Sequence, residues 1–186
     1  MSTFCRVHAG GVVSNGAAAL FVGPSGAGKS TIVVRLVTDG LSLLSDDEVW
    51  IEPDSTLAHP TWRSLLLKDS AWDLFPCHRD SFVHTGEEGC RSWWLDPDAV
   101  RPGCRAAPAP VATVVVLKPA SGDRPVLEEI GQTEALNHIL MESMNFPEVR
   151  DRGLTALVRV VRSARLFGLT KGDLRQSTEL LSEVLP

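Results

Sequence analysis

The sequence predicts an α/β fold, in which helices flank a mixed sheet and one irregular insertion interrupts the pattern. Three observations predict this fold. An apolar run over residues 17–22 leads into a glycine-rich turn and then into a helical pattern. A second apolar run, "VATVVVLKP", is continuous, as is typical of a central strand that is covered on both faces. Segments with strand-like and helix-like patterns also alternate along most of the chain, which favours a parallel or mixed sheet.

Turn and helix-end signals define the first elements. "FCRVHAGGVVSNGAAALFVG" reads as a short strand, a hairpin turn at Asn15-Gly16 and a second strand that ends at Val22. A helix follows from Ser30 to Asp39, and Gly40 lies where a helix usually terminates. The apolar stripe of that helix is formed by Ile32, Val33, Leu36 and Val37.

The next segments are predicted strands and an insertion. "LSLLS" is a buried strand that ends in Asp46-Asp47, and "VWIE" is a further strand closed by Pro53. From about 54 to 108 the periodicity is weak, prolines are frequent and four of the five tryptophans occur. We therefore expect an irregular insertion or lid in this region, laid over the sheet.

The C-terminal part returns to regular elements. "TEALNHILMESM" is predicted to be helical, and Pro147 marks the start of a second helix. "RLFGL" reads as a short strand, and a last helix is expected from about Leu174 to Leu185. We expect residues 1–186 to form a single domain, because 186 residues with 44% apolar content can bury one ordinary core.

Composition excludes several classes of protein. The net charge of −5 gives no overall attraction to nucleic acid or to an anionic membrane, so neither is an expected partner. The chain has no apolar window approaching ~18 residues and no signal peptide, so we expect a soluble, cytoplasmic protein. Its four cysteines are irregularly spaced, as in a protein with reduced thiols.

The glycine-rich turn carries the firmest functional signal. Gly23-Pro-Ser-Gly-Ala-Gly-Lys-Ser30 matches the pattern G-x-x-x-x-G-K-[ST] between a strand and a helix. Its backbone N–H groups converge on phosphate oxygens, its lysine bridges the β- and γ-phosphates, and its serine ligates Mg²⁺. The residues expected to bind the nucleotide are Gly23, Ser25, Gly26, Ala27, Gly28, Lys29, Ser30 and Thr31.

An acid is needed to hold the metal of such a site. The second core strand ends in Lys118-Pro119, which offers none, so the acids are expected from Asp46-Asp47. Two adjacent carboxylates are costly unless a cation neutralises them or one serves as a base. One aspartate would therefore hold Mg²⁺, and its neighbour would take a proton from an acceptor hydroxyl. From the residues alone, His8 reads as a strand-end histidine with no special role.

A family resemblance becomes visible in these motifs together. "H-x-G-x-x-x…G-P-S-G-x-G-K-S…L-x-S-D-D-x-V" resembles the catalytic domain of HPr kinase/phosphorylase and its phosphoenolpyruvate-carboxykinase-like relatives. It covers residues 6–53 with specific motifs and residues 110–185 with generic ones, as in a short form that lacks the N-terminal domain. The resemblance implies ATP-dependent phosphorylation of a hydroxyl, with Asp47 as the base, Asp46 and Ser30 on Mg²⁺, Lys29 on the phosphates and His8 near the transferred phosphate.

The sequence also departs from this family. The loop continues Lys29-Ser30-Thr31 where the family has Lys-Ser-Glu, and residues 54–108 contain no Arg-Gly-x-Gly signature. These departures do not favour HPr as the substrate or the phosphorylase reaction. The resemblance to the shorter relatives, which are often associated with the tailoring of small ribosomal peptides, implies a peptide or protein serine as the acceptor, with a small-molecule alcohol as the second choice. The larger relatives are homo-oligomers, so a homo-oligomer is possible here too.

Alternatives to an ATP-dependent kinase remain open. A nucleotide-binding switch or scaffold with slow hydrolysis and no acceptor would have a buried aspartate pair without an adjoining pocket. A phosphorylase would run the reaction in reverse. The base of the nucleotide is also open, since no N-K-x-D motif is present. Arg63, Arg79 and Arg91 are candidate phosphate contacts within the insertion, and the sequence does not choose among them.

Overall fold

The computed structural model describes residues 4–61, 63–68, 71, 73–85, 92–120, 122 and 124–186. Nine strands of this part of the chain form one mixed sheet, and three form a smaller sheet. The larger sheet contains β1 (Cys5–Val7), β2 (Ala9–Ser14), β3 (Ala17–Val22), β4 (Ser42–Ser45), β5 (Val49–Ile51), β6 (Leu57–His59), β10 (Ala109–Lys118), β11 (Val126–Glu129) and β12 (Arg165–Thr170). The smaller sheet contains β7 (Leu65–Lys68), β8 (Phe82–Thr85) and β9 (Ser92–Leu95).

Helices cover both faces of the larger sheet. They are α1 (Lys29–Thr38), α2 (Pro97–Val100), α3 (Gln132–Met141), α4 (Phe146–Ser163) and α5 (Leu174–Ser182), together with a 3₁₀ helix over Pro76–Ser81. Within the described ranges, no helix is long and apolar enough to cross a membrane. The mixed α/β fold and the N- and C-terminal elements expected from the sequence are thus confirmed, with helix ends shifted by a few residues.

The β2–β3 hairpin forms at the predicted Asn15-Gly16 turn. Asn15 has φ +48° and Gly16 has φ +78°, and positive φ at both central residues is the geometry that matches the twist of a two-residue hairpin. The register pairs Ser14 with Ala17 and Ala9 with Val22. The end of β3 therefore lies at the same edge of the sheet as the start of β2, next to His8.

Strand β10 lies in the centre of the larger sheet. It runs parallel to β3 on one side and to β12 on the other, with Val116 opposite both Val22 and Gly168. Because parallel strands end at the same edge, the segments that follow β3, β10 and β12 leave the sheet side by side. This edge holds the candidate site.

The core is divided by the sheet into two layers. Alternate side chains of β3 point to opposite faces, so Leu20 packs with Ile139 of α3 and Leu157 of α4, while Phe21 packs with Val33 of α1 and Leu181 of α5. All of these side chains are buried. Helix α1 is thus held rigidly against the sheet, which fixes the turn that precedes it.

The insertion is more regular than the sequence indicates. Residues 54–108 contain strands β6 to β9, of which the last three form an antiparallel sheet in the order β7-β9-β8. Leu65, Leu67 and Leu95 of this small sheet are buried in the same layer as α1. The prediction of an irregular region is therefore wrong for this part, because long-range pairing forms strands that are too short to show a sequence period. Strand β11 was also not predicted.

Candidate functional site

The glycine-rich turn connects β3 directly to α1, as its position in the sequence predicts. Gly26 has φ +83° and Gly28 has φ +95°, a backbone region that residues with a Cβ rarely adopt. Gly28 precedes the first residue of α1, and in the described part of the chain no side chain caps this helix start and its first turn contains no acid. The N–H groups at this helix end are therefore available to an anion.

Lys29 is buried beneath the turn, with 6% of its surface exposed. Its ammonium donates hydrogen bonds to the carbonyl oxygens of Gly23 at 2.6 Å and Pro24 at 3.1 Å. Burial lowers the pKa of Lys29, and the nearby carboxylates of Glu142, Asp47 and Asp46 oppose that shift. The Lys29 ammonium therefore lies near three carboxylates, which favour its charged form.

Asp46 follows β4 and is 5% exposed. The backbone N–H of Leu66 donates to its Oδ2 at 2.8 Å, whereas its Oδ1 is buried and has no hydrogen-bond partner among the described residues. Burial raises the pKa of Asp46 to about 6, although the Leu66 N–H and the Ser30 hydroxyl both favour the charged form. A cation at Oδ1 would satisfy this oxygen, which is the ligand type that Mg²⁺ prefers.

Asp47 and His8 form a direct contact next to Asp46. Asp47 Oδ1 lies 3.1 Å from His8 Nε2, and 59% of the Asp47 side chain is exposed. On the other side of the ring, His8 Nδ1 lies 2.7 Å from Glu142 Oε2, and the His8 backbone N–H donates to the Glu142 carbonyl at 2.8 Å. The imidazole is therefore held between two carboxylates, with one of them open to a substrate.

Glu48, the third acid of "SDDEV", is structural. Its carboxylate is buried and accepts hydrogen bonds from Arg6 Nε and, at 2.9 Å, from Trp50 Nε1. Burial opposes its ionisation, but these donors lower the pKa of Glu48 below its ordinary value. Asp46 and Asp47 therefore line the cleft, whereas Glu48 points away from it toward Arg6 and Trp50.

All but two of the predicted site residues line one cleft of about 170 Å³. The lining comprises His8, Ser25, Gly26, Gly28, Lys29, Ser30, Thr31, Asp46, Asp47, Leu66, Leu67, Lys68 and Ala71. Two of the predicted loop residues do not line it. Gly23 contributes its carbonyl to Lys29, and Ala27 packs against the α1 layer of the core.

Three charged residues in or beside the cleft were not anticipated from the sequence. Glu142 follows the last residue of α3, and Lys68 ends β7 in the insertion. Lys171 follows β12, and its Nζ lies 3.5 Å from the point that a Cβ on Gly28 would occupy. No spacing signal marks Glu142, since it is 134 residues from His8 in the sequence.

Two of the three candidate arginines of the insertion contact carboxylates that do not line the cleft. Arg63 lies 3.5 Å from Glu48, and Arg79 donates to Asp73 at 2.9 Å. Arg91 lies outside the described residues. Of the insertion's cations, the described structure places Lys68 in the cleft lining and neither of these two arginines.

The fold and site together define a mixed α/β protein with a glycine-rich turn between β3 and α1 at one edge of the sheet. No family model matches the chain, and no curated protein sequence matches it. Among solved structures, the chain is similar to the HPr(Ser) kinase/phosphatase from Coxiella burnetii, with 11% sequence identity and a TM-score of 0.45. That similarity covers 96% of this chain and 95% of the other.

Proposed function

We propose that this protein is a Mg²⁺-dependent kinase that transfers the γ-phosphate of ATP to a hydroxyl group. The observation that carries the proposal is the shared cleft, in which the glycine turn and Lys29 face Asp46 and Asp47. A serine of a peptide or protein is the first-choice acceptor, and a small-molecule alcohol is the second.

The phosphate chain would lie on the turn. The uncapped N–H groups at the start of α1 supply hydrogen-bond donors and the positive end of the helix dipole. Lys29 is already held against the turn by two backbone carbonyls, so its ammonium needs little reorganisation to contact phosphate oxygens. The buried, fixed position of these groups supports phosphate binding with a defined orientation.

Asp46 and Ser30 fit a Mg²⁺ ion. The buried Oδ1 of Asp46 lacks a partner among the described residues, and the Ser30 hydroxyl acts on the same carboxylate. The bound ion would neutralise negative charge that develops on the phosphates. The Leu66 N–H keeps the second carboxylate oxygen of Asp46 in place, so the first one is presented to the cleft.

Asp47 is suited to the role of base. Its exposed carboxylate would accept the proton of the acceptor hydroxyl while the hydroxyl oxygen forms a bond to the γ-phosphorus. The bond from that phosphorus to the β–γ bridging oxygen breaks, and ADP leaves. His8, fixed on its other side by Glu142, would orient Asp47 toward the acceptor. An exposed Asp47 beside a cleft supports a kinase over a switch, for which we expect no adjoining pocket.

The insertion would contribute to the acceptor side of the cleft. Leu66, Leu67, Lys68 and Ala71 line the same space as the turn. The Leu66 N–H of β7 donates to Asp46. A shift of the insertion would therefore move Asp46, the proposed metal ligand, and its neighbour Asp47, the proposed base.

The decisive experiment compares wild type with Asp47→Asn. Both are incubated with Mg²⁺ and γ-labelled ATP, with a cell lysate or a peptide pool as the source of acceptor, and Asp151→Asn serves as an exposed control remote from the turn in sequence. We expect a stable labelled product with wild type and the control, and none with Asp47→Asn, while all three bind ATP. Label that appears as free phosphate alone, or nowhere, would overturn the kinase proposal in favour of the nucleotide-dependent switch.

A further inference from the structure

Lys68 reaches the glycine turn from the insertion. It is the last residue of β7, and the N–H of Leu66, two residues earlier, is hydrogen-bonded to Asp46 Oδ2 at 2.8 Å. The Lys68 Nζ then donates to Ser25 Oγ at 3.4 Å and lies 3.9 Å from the point that a Cβ on Gly26 would occupy. The β7 strand thus attaches to the metal side of the cleft and extends an ammonium over the start of the turn.

Two ammonium groups therefore share the cleft. Lys29 lies at the start of α1 and Lys68 at the end of β7, and both side chains line the cleft. Like charges held in one cleft repel each other unless an anion lies between them. The carboxylates near this cleft act on Lys29, whereas Lys68 forms no ion pair within the described ranges.

Lys118 shows the ordinary situation for comparison. It ends β10 at the same edge of the sheet, and its Nζ lies 2.9 Å from carboxylate oxygens of both Glu128 and Glu134. Its charge is neutralised by the protein. Lys68 is instead directed to a neutral serine hydroxyl on a phosphate-binding turn, which suits an ammonium whose counterion is a ligand.

We propose that Lys68 is a catalytic cation, supplied by the insertion, that binds the terminal phosphate of the nucleoside triphosphate and neutralises its charge during transfer. The inference rests on the proposed kinase function and deepens it. Lys29 would contact the phosphates from the turn itself. Lys68, beside Ser25, would contact the γ-phosphate from the insertion, so that two cations would neutralise the group that is transferred. Because the same strand fixes Asp46, metal and cation are positioned by one rigid element.

The proposal predicts that loss of Lys68 affects the binding of ATP and the binding of ADP differently. A contact to the terminal phosphate is absent with ADP, so loss of Lys68 weakens ATP binding and leaves ADP binding nearly unchanged. Because this cation would act mainly on the group that is transferred, its removal is expected to lower the rate more than the affinity for ATP. In phosphoryl-transfer enzymes a comparable arginine accounts for about 10³- to 10⁵-fold of the rate, so a loss of about 100-fold or more is expected here.

The test uses the full chain and the variants Lys68→Met, Lys68→Arg and Lys118→Met. Calorimetry measures the binding of Mg·ATP, Mg·ADP and Mg·ADP with beryllium fluoride, which mimics the terminal phosphate. Release or transfer of γ-label is followed in parallel. For Lys68→Met we expect ADP affinity within about threefold of wild type, at least about tenfold weaker binding of ATP and of the fluoride complex, and the rate loss above. We expect Lys68→Arg to restore most of the ATP affinity and most of the rate. Lys118→Met should change neither the ATP affinity nor the rate.

Other outcomes contradict the proposal. Unchanged ATP binding, fluoride binding and label release in Lys68→Met would show that Lys68 is a solvated lysine. An equal loss of ATP and ADP affinity would show that it supports the shape of the turn through Ser25. Either result leaves the kinase proposal standing, because wild type still binds and transfers. Failure of wild type to bind any Mg·nucleotide would overturn both.

Discussion

His8 Nδ1 lies 2.7 Å from Glu142 Oε2, which ties the end of α3 to the strand pair that carries the glycine turn. The contact is reinforced by the His8 backbone N–H, which donates to the Glu142 carbonyl. Because the carboxylate accepts at Nδ1, the ring is fixed with Nε2 toward Asp47. Glu142 is therefore a positioning residue in the proposed mechanism, since it acts on the base through the imidazole.

We expect Glu142→Gln to lower kcat about 10- to 100-fold with little change in KM for ATP, because the ring loses its charged acceptor while the glycine-rich turn is untouched. Steady-state kinetics against ATP checks this. Glu134→Gln, on the same helix but paired with Lys118, is the matched control and leaves kcat unchanged. A rise in KM with normal kcat in Glu142→Gln would contradict the positioning role.

A substitution in the turn tests whether its backbone conformation is needed for nucleotide binding. Gly28 has φ +95° and Gly40 has φ +112°, so alanine is strained at both positions and costs about 1–2 kcal/mol of unfolding free energy. We expect Gly28→Ala to lose ATP binding as well, since the turn must rearrange, while Gly40→Ala, at the other end of α1, keeps it.

Denaturant unfolding and ATP titration of the two alanine variants separate the effects. A Cβ on Gly28 would lie 3.4 Å from the Lys171 side chain, which is an ordinary van der Waals distance. Steric crowding would therefore not explain a loss of ATP binding in Gly28→Ala. Equal loss of stability with unequal loss of binding supports a phosphate-binding role for the turn. Normal ATP affinity in Gly28→Ala would contradict it.

Local signals made most of the N-terminal half of the fold predictable. The Asn15-Gly16 turn and the G-x-x-x-x-G-K-S pattern each specify a backbone geometry within a few residues, so the hairpin, the turn and α1 follow from the sequence. Strand β11 shows the opposite case. It has mostly exposed side chains and no apolar alternation, and it forms because its backbone pairs with β12.

The site residues also fall into those marked by local sequence motifs and those placed by long-range contacts. Lys29, Ser30, Asp46 and Asp47 lie in short motifs whose chemistry is readable from spacing. Glu142 and Lys68 reach the cleft through long-range contacts, with Glu142 brought to His8 by the end of α3 and Lys68 brought to Ser25 by β7. Such residues carry no local pattern, because tertiary packing decides where a lone Glu or Lys points.

The pH dependence of stability tests the environment of Asp46. Its pKa is about 6 in the folded protein against an ordinary value of 3.8, and burial is the main cause. The folded state thus binds more protons than the unfolded state between these values, so ionisation of Asp46 destabilises the fold as pH rises from about 4 to above 6. The shift corresponds to about 3 kcal/mol when Asp46 is fully ionised.

Asp46→Asn removes this cost and keeps an acceptor for the Leu66 N–H. We therefore expect the variant to be more stable than wild type at pH 7.5 without Mg²⁺, by up to about 3 kcal/mol, and the two to converge near pH 4. Urea unfolding at several pH values measures the difference, with Asp151→Asn as an exposed control that shows no gain. Because an asparagine at this position lacks the charge that holds a cation, Mg²⁺-dependent ATP binding should weaken in the same variant. A gain in stability that does not vary with pH would contradict this prediction, because it would show that folding leaves the pKa of Asp46 unchanged.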